Sequence, residues 1–161
     1  MEPVRPIRWR HSLGARMKVN DSPVIVEEIF NAPVQSVWNA ITVVEEMRAW
    51  YFDNIPAFEA RVGFETQFMV INEGREFPHH WMVTEVLPLK KISYDWRFGN
   101  YPGLGLVSFK LTEHGGSTTL KLTNAVLEDF PGGVPEFERE SCLGGWRYFI
   151  GQSLKAYLEK P

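Results

Sequence analysis

The closing stretch "GGWRYFIGQSLKAYLE" (144–159) places the tightest constraint on the fold. Its apolar residues recur at helical spacing, yet Trp146, Phe149, Ile150, Leu154, Tyr157 and Leu158 exceed what one narrow stripe requires. A helix with so broad an apolar surface has to lie against something wider than another helix. A sheet with one apolar face is the simplest cover, and the residues upstream supply one.

From residue 58 the period shortens to two. "FEARVGFETQFMVI" sets Phe58, Ala60, Val62, Phe64, Thr66, Phe68 and Val70 against polar neighbours, with Gly63 marking a turn or bulge. "HHWMVTEVLP" reads as a strand stopped by Pro88. "KKISYDWRF" places Ile92, Tyr94 and Trp96 on one face, "LVSFKLTE" places Val107, Phe109 and Leu111, and "TTLKLTNAVL" places Leu120, Leu122 and Asn124. "NEGRE", "GNYPGLG" and "EHGGST" are turns between them, so the strands are antiparallel with one wet and one covered face. Ahead of them, "PVIVEEIFNAP" is a first strand, Pro33 opens the helical "PVQSVWNAIT", and "VEEMRAWYF" is a second short helix. "EDFPGGVPEFERES" is a loop whose Pro135 is placed to open the last helix, with Glu136, Glu138 and Glu140 at its positive end. The order gives an α+β fold: a curved antiparallel sheet gripping a long C-terminal helix, with two short helices after the first strand.

At 161 residues the chain suits one domain, expected over 21–161 and preceded by a flexible tail at 1–20, where Met17 is a candidate native start. Seventeen basic against twenty acidic residues, without a basic run, leave no electrostatic footprint for nucleic acid. A lone cysteine, Cys142, excludes an intrachain disulfide and suits a reducing compartment, so a cytoplasmic location is expected. No stretch is long and apolar enough for a secretory signal or membrane insertion.

Several segments in this order resemble the helix-grip domains of the START/SRPBCC superfamily, in particular those like the activator of the heat-shock-protein-90 ATPase. They are "NAPVQSVWNAIT", "MRAWYF", "RVGFETQF", "VTEVLPLKKISYDW", "VSFKLTEHGGSTTLKLTN" and the terminal "GGWRYFIGQSLKAYLE". The resemblance implies a cavity between sheet and terminal helix. It also implies three kinds of activity: binding a small hydrophobic or amphipathic ligand such as a lipid, regulating a chaperone ATPase, or cyclase, dehydratase or hydrolase chemistry in the same cavity. Where the family often has a second glycine after Arg-Val-Gly, this chain has Phe64, which narrows the space.

The inward aromatic and polar positions are the candidate ligand wall: Trp50, Phe64, Thr66, Phe68, Trp81, Tyr94, Trp96, Phe109, Asn124, Trp146, Phe149 and Ile150. Core packing and ligand contact both suit such residues. Glu85, sharing parity with Trp81 and Val83, and Asn124 are the general-base and orienting candidates if there is catalysis; an ion pair is the alternative role for Glu85. Adjacent His79 and His80 point to opposite faces of a strand and do not form a metal site. His80 is either an exposed residue or a pocket group. Cys142 near a helix N-terminus is a small apolar filler or a thiol of lowered pKa. Phe130, Val134 and Phe137 form a lid or a plain connection. No cofactor is implied, the expected partners are a small apolar molecule or a chaperone, and a non-catalytic role is favoured.

Overall fold

A computed structural model describes residues 16–160. Strand β1 (Val24–Phe30) is followed by helices α1 (Val34–Thr42) and α2 (Val44–Trp50). Strands β2 (Glu65–Asn72), β3 (Arg75–Leu87), β4 (Lys91–Phe98), β5 (Tyr101–His114) and β6 (Ser117–Glu128) then run as an antiparallel meander. A 3₁₀ turn (Pro135–Phe137) leads into α3 (Arg139–Tyr148), a π segment (Phe149–Leu154) and α4 (Lys155–Glu159), which together make the terminal helix. The sheet order is β1-β6-β5-β4-β3-β2, so the helices carry the chain from one edge to the other and the meander returns to pair with β1.

The alternation decides the faces. Val24, Val26, Phe30, Phe68, Phe77, Trp81, Val83, Ile92, Tyr94, Val107, Phe109, Leu111, Leu120 and Leu122 all point inward and are buried. Against them lie Trp146, Ile150 and Leu154 of the terminal helix, also buried. Residues four apart drift by about 40° per step on a 3.6-residue helix. The wider π turn over 149–154 offsets that drift and holds the three in one line over the sheet. Each such side chain, fully buried, contributes ~1.5–3 kcal/mol through water release.

The C-terminal half of this helix is pinned by polar contacts. Lys155 Nζ meets Glu28 Oε2 and Ile29 O, both at 3.0 Å. Ser153 Oγ donates to Trp50 O at 2.6 Å, Tyr157 OH to Glu46 at 2.9 Å, and the Asn31 amide to Glu159 at 2.8 Å. The N-terminal half is tied as well, by Arg139, whose Nη1 donates to Ser22 O at 2.5 Å and Nη2 to Pro23 O at 3.1 Å; the site lies beneath this half.

Four sequence expectations change. The tail does not extend to residue 20, because Met17 is buried, donates its amide to Phe137 O at 3.1 Å and accepts from the Phe130 amide at 3.2 Å. Residues 1–15 of the expected tail lie outside the described residues. Val62 is exposed, since 58–64 is an irregular connection with Gly63 at φ +90° and not a strand. "GNYPGLG" is a turn only at Gly99 and Asn100; Gly103 and Gly105 are already inside β5. At Gly103 (φ +118°) a Cβ would stand 2.4 Å from the Phe130 ring, so glycine is needed for Phe130 to fold over the strand. The last helix begins at Arg139, because Glu138 is extended (φ −79°, ψ 147°) and separates it from the Pro135 turn. Among the described residues no helix is long and apolar enough to cross a membrane.

Candidate functional site

Three strands supply the floor of a cavity under the N-terminal half of the terminal helix. They contribute Trp96 and Phe98 from β4, Gly105 from β5 and Asn124 from β6. Register shifts between Trp96 and Phe98 and between Leu104 and Gly105 interrupt the ladder at this floor. The roof is Ser141, Cys142, Gly145, Trp146 and Phe149, and Phe52 stands at the side where the chain leaves α2. Met17, Phe130, Glu136 and Phe137 close the end. The cavity volume is about 150 Å³, and it opens to solvent past the exposed Ser141 and Gly145.

Its surface is mostly rings. Trp96 and Trp146 meet edge to face at 5.7 Å, Phe52 and Phe149 at 5.1 Å, and Phe98 lies 5.1 Å from Phe137. The polar groups are few. Asn124 Nδ2 donates to Cys142 Sγ at 3.3 Å, while Asn124 Oδ1 is buried without a hydrogen-bond partner. Burial pushes the Cys142 thiol up to about 12, against the weaker opposing effects of Arg139 and a hydrogen bond from Trp146. Desolvation therefore overrides the helix N-terminus, and Cys142 is a neutral wall residue. Burial alone would raise the Glu136 carboxyl, but hydrogen bonds from Arg75 and Asn72 draw it below its ordinary value. Arg75 grips it with Nε at 2.9 Å and Nη2 at 2.8 Å, and Asn72 Nδ2 adds a third bond at 2.7 Å.

Four of the candidate wall residues line this space: Trp96, Asn124, Trp146 and Phe149. Trp50, Phe68, Trp81, Tyr94, Phe109 and Ile150 are packed core, and Thr66 is buried with them. Trp50 donates Nε1 to Ala40 O at 2.7 Å, and the Tyr51 and Tyr94 hydroxyls pair at 2.9 Å. Trp81 Nε1 is buried without a partner among the described residues. Phe64 packs on Phe58 and under Arg61, away from the cavity.

Glu85 is a correction. A register shift between Val83 and Glu85 breaks the parity on which its inward placement rested. Its carboxylate instead meets Lys91 Nζ at 3.0 Å with 44% of the side chain exposed. His80 pairs with Glu65 at 2.6 Å on the outer face, and His79 is the buried one, its Nδ1 2.8 Å from Phe77 O. Among the described residues no group of three or more potential ligand side chains is placed to hold a metal ion.

Of the wall residues not anticipated, Phe98 shares parity with Trp96 and was legible in "YDWRF". Of the three loop residues read as a lid or a plain connection, Phe130 and Phe137 are buried at the end of the cavity, and Val134 is half-buried outside its lining. Met17, Phe52 and Gly105 lie outside any periodic pattern.

The sequence from 31 to 159 matches the family model described as Activator of Hsp90 ATPase homolog 1-like protein. The chain belongs to this family. Solved structures carry the same helix-grip fold. The Mll3558 protein from Rhizobium loti is 24% identical, with 85% of this chain and 96% of that one covered at a TM-score of 0.71. The Aha1 dimer from Colwellia psychrerythraea, a solution structure, is 21% identical over 87% of this chain and 98% of that one, at 0.69. DynU16, from the dynemicin biosynthetic locus, is 27% identical over 87% of this chain and 48% of that one, at 0.68. Among curated protein sequences no match to this chain was found.

Proposed function

We propose that this protein binds a small apolar or amphipathic molecule in the cavity between sheet and terminal helix. The observation that carries this reading is the ring-lined space of about 150 Å³, partly open to solvent, between the sheet and the terminal helix. A close-packed core has few voids larger than a water molecule, and leaving this one open forgoes dispersion contacts along its whole lining. A ligand restores those contacts and loses its own apolar surface from water at about 25 cal/mol per Å².

Catalysis draws no support from the geometry: Glu85 stands outside the cavity, and the acid in its wall, Glu136, is held by Arg75 and Asn72. The family description supports a second reading, action on a chaperone ATPase.

The binding reading is tested at Gly145, in the roof, where an added Cβ meets no atom within 4 Å. The Gly145→Leu protein is expected to fold with equal or higher Tm, because glycine is a poor helix former by about 1 kcal/mol. It should also lose the thermal shift and native-mass adducts that small aromatic and aliphatic compounds give with the parent. Equal uptake by both proteins would place binding elsewhere.

A further inference from the structure

We propose that residues 7–15 form an extended arm that lies across the mouth of the cavity, with Leu13 and Trp9 on its inward side.

The anchor of this arm is in place. Met17 is buried at the end of the cavity, its amide on Phe137 O and its carbonyl accepting from the Phe130 amide. Arg16 forms an antiparallel bridge with Glu138. The Arg16 side chain lies along Gly132, where a Cβ would stand 3.7 Å from its Cδ and Nη1. The bridge sets a direction. In an antiparallel pair the chain before Arg16 heads the same way as the chain after Glu138, which is toward the first turn of α3. Ser141 and Gly145 are exposed there, and the cavity opens past them.

The sequence decides which side faces in. In "IRWRHSLGARMK" (7–18), Ile7, Trp9, Leu13, Ala15 and Met17 share one parity, with His11 their one polar member. Arg8, Arg10, Ser12, Gly14, Arg16 and Lys18 share the other. Such alternation marks extended chain with one covered face. Met17 is of the parity that enters the cavity, so Leu13 and Trp9 turn the same way and the arginines face water.

Reach agrees. From Arg139 to Gly145 the helix rises ~9 Å, and from Arg16 back to Leu13 an extended chain covers ~10 Å. Leu13 is therefore level with Gly145, and Trp9 has the length to cover the half-buried Phe149 beyond it. The roof has room for both, since a Cβ at Gly144 or Gly145 meets no described atom within 4 Å.

The test is the alkylation rate of a thiol placed at the mouth, in the full chain with Cys142→Ser throughout so that one thiol reacts. Gly145→Cys carries the reporter, and Thr112→Cys, exposed on the outer face of the sheet, carries the control. N-ethylmaleimide should label the Gly145→Cys protein at least about fivefold faster once Leu13→Ser and Trp9→Ser are added, the mark of an arm closed about four-fifths of the time. The control rate should not change. Equal rates at Gly145→Cys with and without the two serine substitutions overturn the proposal, and so does an equal rise at the control, which would report a loosened fold. No ligand enters this measurement. Its failure leaves the binding reading standing, and a failure of ligand uptake leaves the arm standing.

Discussion

Single side chains show where elementary rules compete. His79 lies among Phe52, Phe68, Trp96 and Phe98, with ring centroids between 4.9 and 5.3 Å away. Burial lowers its pKa from 6.5 to about 4, although the bond to Phe77 O works the other way. Between those values the unfolded chain takes up a proton that the folded chain refuses. The contribution is therefore whole above about pH 7 and is lost as pH falls from 6.5 toward 4, by up to ~3 kcal/mol. Urea midpoints measured at about pH 7.5 and about pH 4.5 should drop in acid, and the drop should shrink in His79→Phe. An equal drop in both proteins would show that His79 is not the titrating group. The inward side of His79 was legible, since it shares parity with Trp81 and Val83. The outward turn of Glu85 was not: the bulge behind it leaves no mark in "WMVTEVLP".

Elements were legible wherever period and turn chemistry agreed. Glu73 and Gly74, both at positive φ, make the two-residue hairpin between β2 and β3 that "NEGRE" announces. The six strands and both short helices follow from alternation and from Pro33. The start of the terminal helix did not, because Pro135 opens a 3₁₀ turn as readily as an α-helix, and only tertiary contacts of Phe137 and Glu136 decide. The β3–β4 turn runs against local preference. Leu87 O accepts from Lys90 N at 2.8 Å, Pro88 is second and Leu89 third at φ +66°, a position that suits glycine. Leu89→Gly is expected to raise stability by about 0.5–1 kcal/mol, the relief of left-handed strain less the entropy gained by the unfolded chain. A fall in stability in chemical denaturation would mean that the half-exposed Leu89 side chain contributes packing worth more than the strain.

At the scale of the molecule, the facing of helix and sheet was written in the pattern, but their separation was not. Parity tells that Trp81, Tyr94 and Phe109 point inward; that they touch one another while Trp96 and Trp146 border a gap depends on register shifts and on where the helix lies. Polar ties hold the terminal helix at both ends, through Arg139 and through Ser153, Lys155 and Tyr157, and the space lies under the half before Phe149. The account therefore stands on one physical feature, a largely ring-lined space beneath α3. Diffraction from crystals held under xenon pressure addresses it directly, because such a cavity takes up xenon without help from hydrogen bonds. The account predicts a xenon peak between Trp96, Phe149 and Asn124 that is absent in Gly145→Leu. No peak there, or side chains closed over the space, would contradict it.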